Sequence, residues 1–164
     1  MFLHLYFPTT PLEDWITAFY KRIGVKQPKD LNIDYIADQC NVLLLRERTE
    51  SYRIDNDFIQ IIVLDERLSP QKQREVFFHE LCHMLRHYGN QGIMPESFRQ
   101  LQEWDAVRFT KCAAIPIHML QYIRLENNRD IIADMSEMFK VTPRLCKERL
   151  NQIRNRMAIK EYTA

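Results

Sequence analysis

Glycine is scarce in this chain: three glycines in 164 residues, beside seven prolines. That argues against a turn-rich all-β fold and against flexible linkers. No apolar run approaches the ~20 residues that a membrane-spanning helix needs. Neither sign of charge dominates, with 23 Lys and Arg against 22 Asp and Glu, so the chain as a whole offers no footprint for nucleic acid or an anionic membrane. The four cysteines, Cys40, Cys82, Cys112 and Cys146, form no C-x-x-C pair; free thiols fit a reducing cytoplasm better than a disulfide-stapled secreted protein. The segment Met1–Pro8 is apolar but lacks a basic stretch and a small-residue cleavage site, and reads as a docking segment rather than a signal peptide.

What is present is 46% hydrophobic residues, enough for one compact domain over 1–164. Leu12, Trp15, Ile16, Phe19, Tyr20 and Ile23 recur at helical spacing and stop at Gly24, a natural helix terminator. A second short helix is expected over 32–39. Strands are expected at 41–46, 52–54 and 58–64, with a turn at Asp55-Asn56-Asp57 between the last two. These make a small sheet of about three strands, expected to be antiparallel. Ser69-Pro70 opens a long helix to about His87 or Tyr88, broken near Gly89–Gly92. Helices then follow from Pro95 to about Ala114, Ile117 to Leu125, Asp130 to Phe139 and Pro143 to about Ile159. The class is α+β: N-terminal helices over 1–40, a core over 41–116 and a C-terminal helical segment over 117–164.

Within the long helix stands His79-Glu80-Leu81-Cys82-His83. Two histidines four apart lie on one helical face, one turn from each other, so their imidazoles can converge on one metal ion. The glutamate between them is placed to reach a water at that ion. Val76, Phe77 and Phe78 before the box, and Met84, Leu85 and Tyr88 after it, mark a largely buried helix. A bland alternative is a hydrogen-bonded histidine pair on a core helix. Cys82 lies about 100° per residue round the helix from its histidine neighbours and is expected to face the core. His87 sits about 12 Å along the axis from His79, too far for the same ion. It is expected to support a ligand or touch substrate, or simply to meet the helix C-terminus favourably.

A catalytic site needs a third protein ligand and an open position. Candidates are Glu96, Glu103 and Asp105, with His118 further on. Ala106, Phe109 and Ala113 form an apolar stripe, and Glu103, three residues before Ala106, is expected to share that buried face. A carboxylate there is costly unless paired or metal-bound. Asp105, about 100° from Ala106, is expected to point away.

The segments Ile62-Val63-Leu64-Asp65, Arg74–His87, Glu103–Phe109 and Ile115-Pro116 together resemble the ImmA/IrrE family of metallo-endopeptidases. That family carries an H-E-x-x-H helix with a further histidine four residues on, then E-x-x-A-x-x-F-A and a hydrophobic-Pro pair. The resemblance is close over about 58–117. It implies a zincin-like core, His79, His83 and Glu103 as ligands of Zn2+ (or Mn2+), and Glu80 as the acid/base. Glu80 would take a proton from the attacking water and pass it to the leaving amine. It also implies a protein substrate, a helix-turn-helix transcriptional repressor of a phage or mobile element. Two departures stand out: Thr110 where the family usually has Ala, and Cys82 where Gly often precedes the second histidine.

A rival class is a DNA-binding or repressor-docking regulator with a structural or silent metal site. Residues 130–150 read as helix, turn, helix, with Thr142 as N-cap and Pro143 at the first helical position. From Lys140 to Lys160, the basic residues Lys140, Arg144, Lys147, Arg149, Arg154, Arg156 and Lys160 stand against Glu148 alone. A solvated basic face on a helical cap is the preferred reading of that patch, and direct DNA binding is not expected.

Overall fold

Three short strands, β1 (Leu43–Glu47), β2 (Tyr52–Asp55) and β3 (Gln60–Asp65), form one sheet with β3 in the centre. The computed structural model describes residues 8–87, 94–123 and 130–163, with side chains to residue 158. The docking reading of Met1–Phe7, the break at Gly89–Gly92 and the helix end near Leu125 fall outside the described residues.

The sheet is mixed, which corrects the antiparallel expectation. β2 pairs with β3 antiparallel, from Tyr52 opposite Val63 to Asp55 opposite Gln60. β1 pairs with β3 parallel, from Leu43 opposite Ile61 to Glu47 opposite Asp65. The reason lies in β3 itself: Ile62, Val63 and Leu64 are buried in succession, and a strand apolar on both faces takes the middle of a sheet. β1 and β2 are largely exposed strands and flank it. The link at 48–51 therefore carries the chain past the end of β3 instead of making a hairpin. The β2–β3 hairpin closes as expected, with the Asn56 side chain accepting from the backbone N–H groups of Phe58 and Ile59.

The helices are α1 (Pro11–Arg22), α2 (Ile33–Gln39), α3 (Pro70–Arg86), α4 (Glu96–Ala114), α5 (Ile131–Phe139) and α6 (Pro143–Thr163), with short 3-10 turns at Pro28–Asp30 and Ile117–Tyr122. The last of these replaces part of the expected 117–125 helix. Several ends follow directly from local chemistry. Ser69 caps α3 by accepting from the Lys72 N–H at 3.2 Å. Gly24, at φ 78°, lets the Val25 and Gly24 N–H groups bond back to the Tyr20 and Lys21 carbonyls, the paired bonds of a left-handed helix stop.

The chain falls into two compact units: residues to Leu31 with those from Lys111 onward, and Asn32–Thr110. In the second, α3 packs on β3 and touches β2, while α2 packs on β1. Phe77, Phe78, Leu81 and Cys82 of α3 are fully buried together with Ile62 and Leu64. Arg46 of β1 adds a two-pronged pair to Asp34 of α2 at 2.8 and 2.9 Å.

In the first unit, α5 packs on α6, and a buried charge cluster ties α1 to α6. Glu13 closes a capping box with Thr10. Its carboxylate also meets Arg149 at 2.6 Å and Arg156 at 3.0 Å. Arg149 is wholly buried and donates to the Ile115 carbonyl and the Gln152 side chain as well. Arg144 pairs with Glu148 at 3.0 Å, and Lys111 with the same carboxylate at 3.5 Å. The basic run is thus partly internal: two of its arginines are committed to Glu13. This corrects the reading of Arg149 and Arg156 as members of a solvated face, which sequence counting alone cannot separate from interior charge.

Burial raises the Glu13 carboxyl, but the Arg149 charge and the bonds from Arg149, Thr10 and Arg156 outweigh it, so Glu13 titrates below its ordinary 4.5. Its stabilising contribution is complete above that unfolded value and is lost as pH falls through the lower folded one. Glu13→Gln leaves Arg149 buried without its partner and should cost about 3–5 kcal/mol at pH 7. Urea unfolding of both proteins from pH 7 to 3 should show the gap closing on the acid side; a gap constant with pH would refute the ion-pair account.

Candidate metal centre

His79 and His83 project from α3 one turn apart, with their Nε2 atoms 3.3 Å from each other. Glu103 reaches them from α4: Oε2 lies 3.1 Å from His79 Nε2, and Oε1 lies 3.2 Å from His83 Nε2. One ligand atom from each of the three falls within 4.8 Å of the others. Two imidazole nitrogens and a carboxylate oxygen form a donor set that suits a zinc-type divalent ion and leaves a coordination position for water. The Glu103 side chain is 49% exposed, so the cluster is open on that side. His83 is buried, and burial first, then the nearby Arg53, His79 and His87, pushes its pKa down to about 3. Near neutral pH it is an uncharged imidazole with a lone pair to offer.

The exposure of Glu103 overturns the argument that placed it on a buried face. Ala106, Phe109 and Ala113 are buried as expected, but residue 103 is about 60° round the helix from Ala106, at the margin of the stripe. Asp105 is the second correction. Measured from Ala106 it points away, yet from Phe109, one turn on, it is only about 40° off axis, and it faces inward. Arg86 Nε donates to its Oδ2 at 2.8 Å, His87 Nε2 lies 3.1 Å from the same oxygen, and Arg108 approaches Oδ1 at 3.7 Å. Burial would raise this carboxyl, but Arg86 and then His87 outweigh it and hold it below the usual aspartate value.

Glu80 belongs to neither ligand-like group found among the described residues. Its Oε2 instead accepts from Arg53 Nη1 at 2.7 Å, with both side chains mostly shielded. Arg53 escaped the sequence reading. It stands 27 positions from Glu80, and the one hint is a charge at the single half-buried position of β2. His118 belongs to neither ligand-like group and lies within hydrogen-bonding distance (3.1 Å) of the Thr17 hydroxyl. Glu96 joins neither group.

A family model, the IrrE N-terminal-like domain of peptidase family M78, matches residues 37–151. The chain belongs to this family. It is 34% identical over 141 residues to the uncharacterized protein YqaB of Bacillus subtilis strain 168, covering 85% of this chain and 82% of YqaB. It is 32% identical over 148 residues to the phage-like element PBSX protein XkdA of the same organism, covering 90% and 75%. No solved structure gives a significant match.

The two departures from the M78 pattern are both accommodated locally. Thr110 is buried but returns its hydroxyl to the Ala106 carbonyl at 2.8 Å, the usual way a helix absorbs a buried threonine. Cys82 is buried, as its angular position on α3 implies, with Sγ 3.8 Å from Asp105 Oδ2. Burial first, then Asp105, pushes its thiol well above the ordinary range. Cys40 alone of the four cysteines is partly exposed. Thiolates, not thiols, react with alkylating agents, so native protein at pH 8 should take up iodoacetamide at Cys40 while Cys82 stays unmodified until the protein is unfolded. Peptide mass mapping reads this, and labelling of Cys82 as fast as Cys40 would contradict the burial.

Proposed function

We propose that this M78-family chain is a metal-dependent endopeptidase of the zinc type, with a zincin-like core, acting on a transcriptional repressor. The observation that carries the reading is the convergence of His79, His83 and Glu103 on one point, with Glu80 alongside but outside the ligand-like group. His79, His83 and Glu103 would hold the ion, Zn2+ or alternatively Mn2+. When bound, such an ion polarises a peptide carbonyl and acidifies a water.

The chain's own groups supply the rest. Glu80 accepts a proton from the attacking water and delivers it to the leaving amine, so that the C–N bond breaks without an amide anion. Arg53, at 2.7 Å, fixes the Glu80 carboxylate. His79 and His83, one turn apart on a helix backed by buried Phe77, Phe78 and Leu81, are held at a fixed separation, which spares the cost of ordering them at the moment of reaction. The exposed side of Glu103 leaves the cluster reachable from solvent.

A protein substrate follows from the peptidase family. A helix-turn-helix repressor of a phage or mobile element is the finer reading, and one relative is a phage-like element protein by its printed name. Four free cysteines fit a cytoplasmic site of action, and no helix among the described residues is long and apolar enough to cross a membrane. Residues 1–164 are taken as one functional domain, since the family match draws on both compact units. The regulator reading loses ground because Arg149 and Arg156 of its basic segment pair with Glu13.

Incubating purified protein with a candidate helix-turn-helix repressor, with and without chelator, tests the proposal. Cleavage should stop on metal removal and resume on adding Zn2+ or Mn2+. Glu80→Gln should keep stoichiometric metal and lose at least about 10²-fold in rate; His83→Ala and Glu103→Ala should lose the metal itself. Full metal in both ligand variants, or wild-type cleavage by Glu80→Gln, would sink these roles.

A further inference from the structure

Behind His83 runs a chain of contacts that the ligand set does not use. His83 Nδ1 lies 2.9 Å from His87 Nδ1. His87 Nε2 lies 3.1 Å from Asp105 Oδ2. Arg86 Nε donates to that same oxygen at 2.8 Å, and its Nη2 approaches Oδ1 at 3.4 Å. The His83 and His87 side chains are 1% and 10% exposed, so water has little access to replace these partners.

An uncharged imidazole has one N–H and one bare nitrogen, and which is which follows from its partners. An aspartate carboxylate only accepts. An uncharged His87 therefore carries its proton on Nε2, leaving Nδ1 bare. A bare nitrogen facing His83 Nδ1 requires a proton there in turn. The last position in the chain, His83 Nε2, is then left with its lone pair, directed to where His79 Nε2 and Glu103 Oε1 stand at 3.3 and 3.2 Å. Running the chain the other way with neutral rings would set the bare Nε2 of His87 against an Asp105 oxygen at 3.1 Å, two acceptors face to face at a carboxylate only 20% exposed. The first direction instead turns the His83 Nε2 lone pair toward Glu103, 49% exposed, where water or a cation can come between.

We propose that Asp105 and His87 are positioning residues that lock His83 in its Nδ1–H form and aim its Nε2 lone pair at the metal. The proposal rests on His83 being a metal ligand, as in the function proposed above. Metal-bound histidines are commonly oriented by a partner on the other ring nitrogen; here the orienting carboxylate acts through an intervening imidazole from one turn further along the same helix. Cys82, His87 and Asp105 also lie close enough together to suggest a second metal group. Arg86 against the Asp105 carboxylate puts a cation where that ion would have to bind, and favours the positioning role.

The tautomer of His83 can be read without metal by long-range 1H–15N correlation on protein labelled with 15N-histidine. Wild type should show Nδ1 protonated and Nε2 bare. His87→Phe keeps a ring but removes the acceptor, and Asp105→Leu removes the carboxylate. Both should mix the tautomers and weaken zinc, measured by chelator competition, by about 10–100-fold. Asp105→Asn retains an acceptor oxygen and should recover most of that affinity. Arg86→Met breaks the ion pair but not the chain, so it should lower stability while leaving the tautomer and zinc affinity near wild type. A protonated Nε2 on wild-type His83, or wild-type affinity in His87→Phe, would overturn the inference. If wild type takes up no metal while His83 is found in the Nδ1–H form, the failure lies with the proposed function and not with the chain.

Discussion

Three lone-pair donors are held against one another in the 32–110 unit: two imidazole nitrogens 3.3 Å apart and a carboxylate within 3.2 Å of both. Without a proton or a cation between them such groups repel, and the burial of His83 works against the proton, pushing its pKa to about 3. The surrounding architecture is what brings these groups together. α3 is backed by β3 through fully buried aromatic and aliphatic side chains, so its histidines cannot swing apart without disturbing a close-packed interior. α4 presents Glu103 at the margin of its buried stripe, near enough to reach the pair and open enough to leave an approach.

Charges in this unit are distributed so that each shielded acid has its own partner. Arg53 of β2 serves Glu80, and Arg86 serves Asp105. Glu103 instead lies against the two histidines. A shielded charge left without a partner is expensive, so the pairing separates carboxylates held by an arginine from the one set against His79 and His83. The same economy operates in the other unit, where Glu13 collects Arg149 and Arg156. The contribution of these arginines is to bind α1 to α6 internally, and the C-terminal helices present less basic surface than their composition suggests.

The element order was readable because several boundaries carry their own local chemistry: Ser69-Pro70 at the start of α3, Gly24 at the end of α1, Asn56 in the hairpin. The histidine pair was readable because a spacing of four is itself geometry on a helix. Strand order was not, since parallel pairing of β1 with β3 depends on which strand is buried on both faces, a property of the assembled sheet. The orientations of Glu103 and Asp105 were misjudged for one reason: the stripe on α4 was referred to Ala106 alone, while Phe109 one turn later turns Asp105 inward. Arg53 left no trace in spacing because its partner is 27 residues away. Sequence periodicity reports a helix's own face well and reports poorly what the neighbouring element brings to it.

The central claim is that these three donors hold one divalent ion with a free coordination position. Anomalous diffraction at the zinc edge, on crystals of the purified protein grown without added chelator, tests it most directly. The account predicts a single peak about 2.0–2.2 Å from His79 Nε2, His83 Nε2 and a Glu103 oxygen, with no fourth protein ligand. A peak ligated by Cys82, His87 and Asp105 instead, or one that takes Glu80 as a ligand and closes the site, would contradict it.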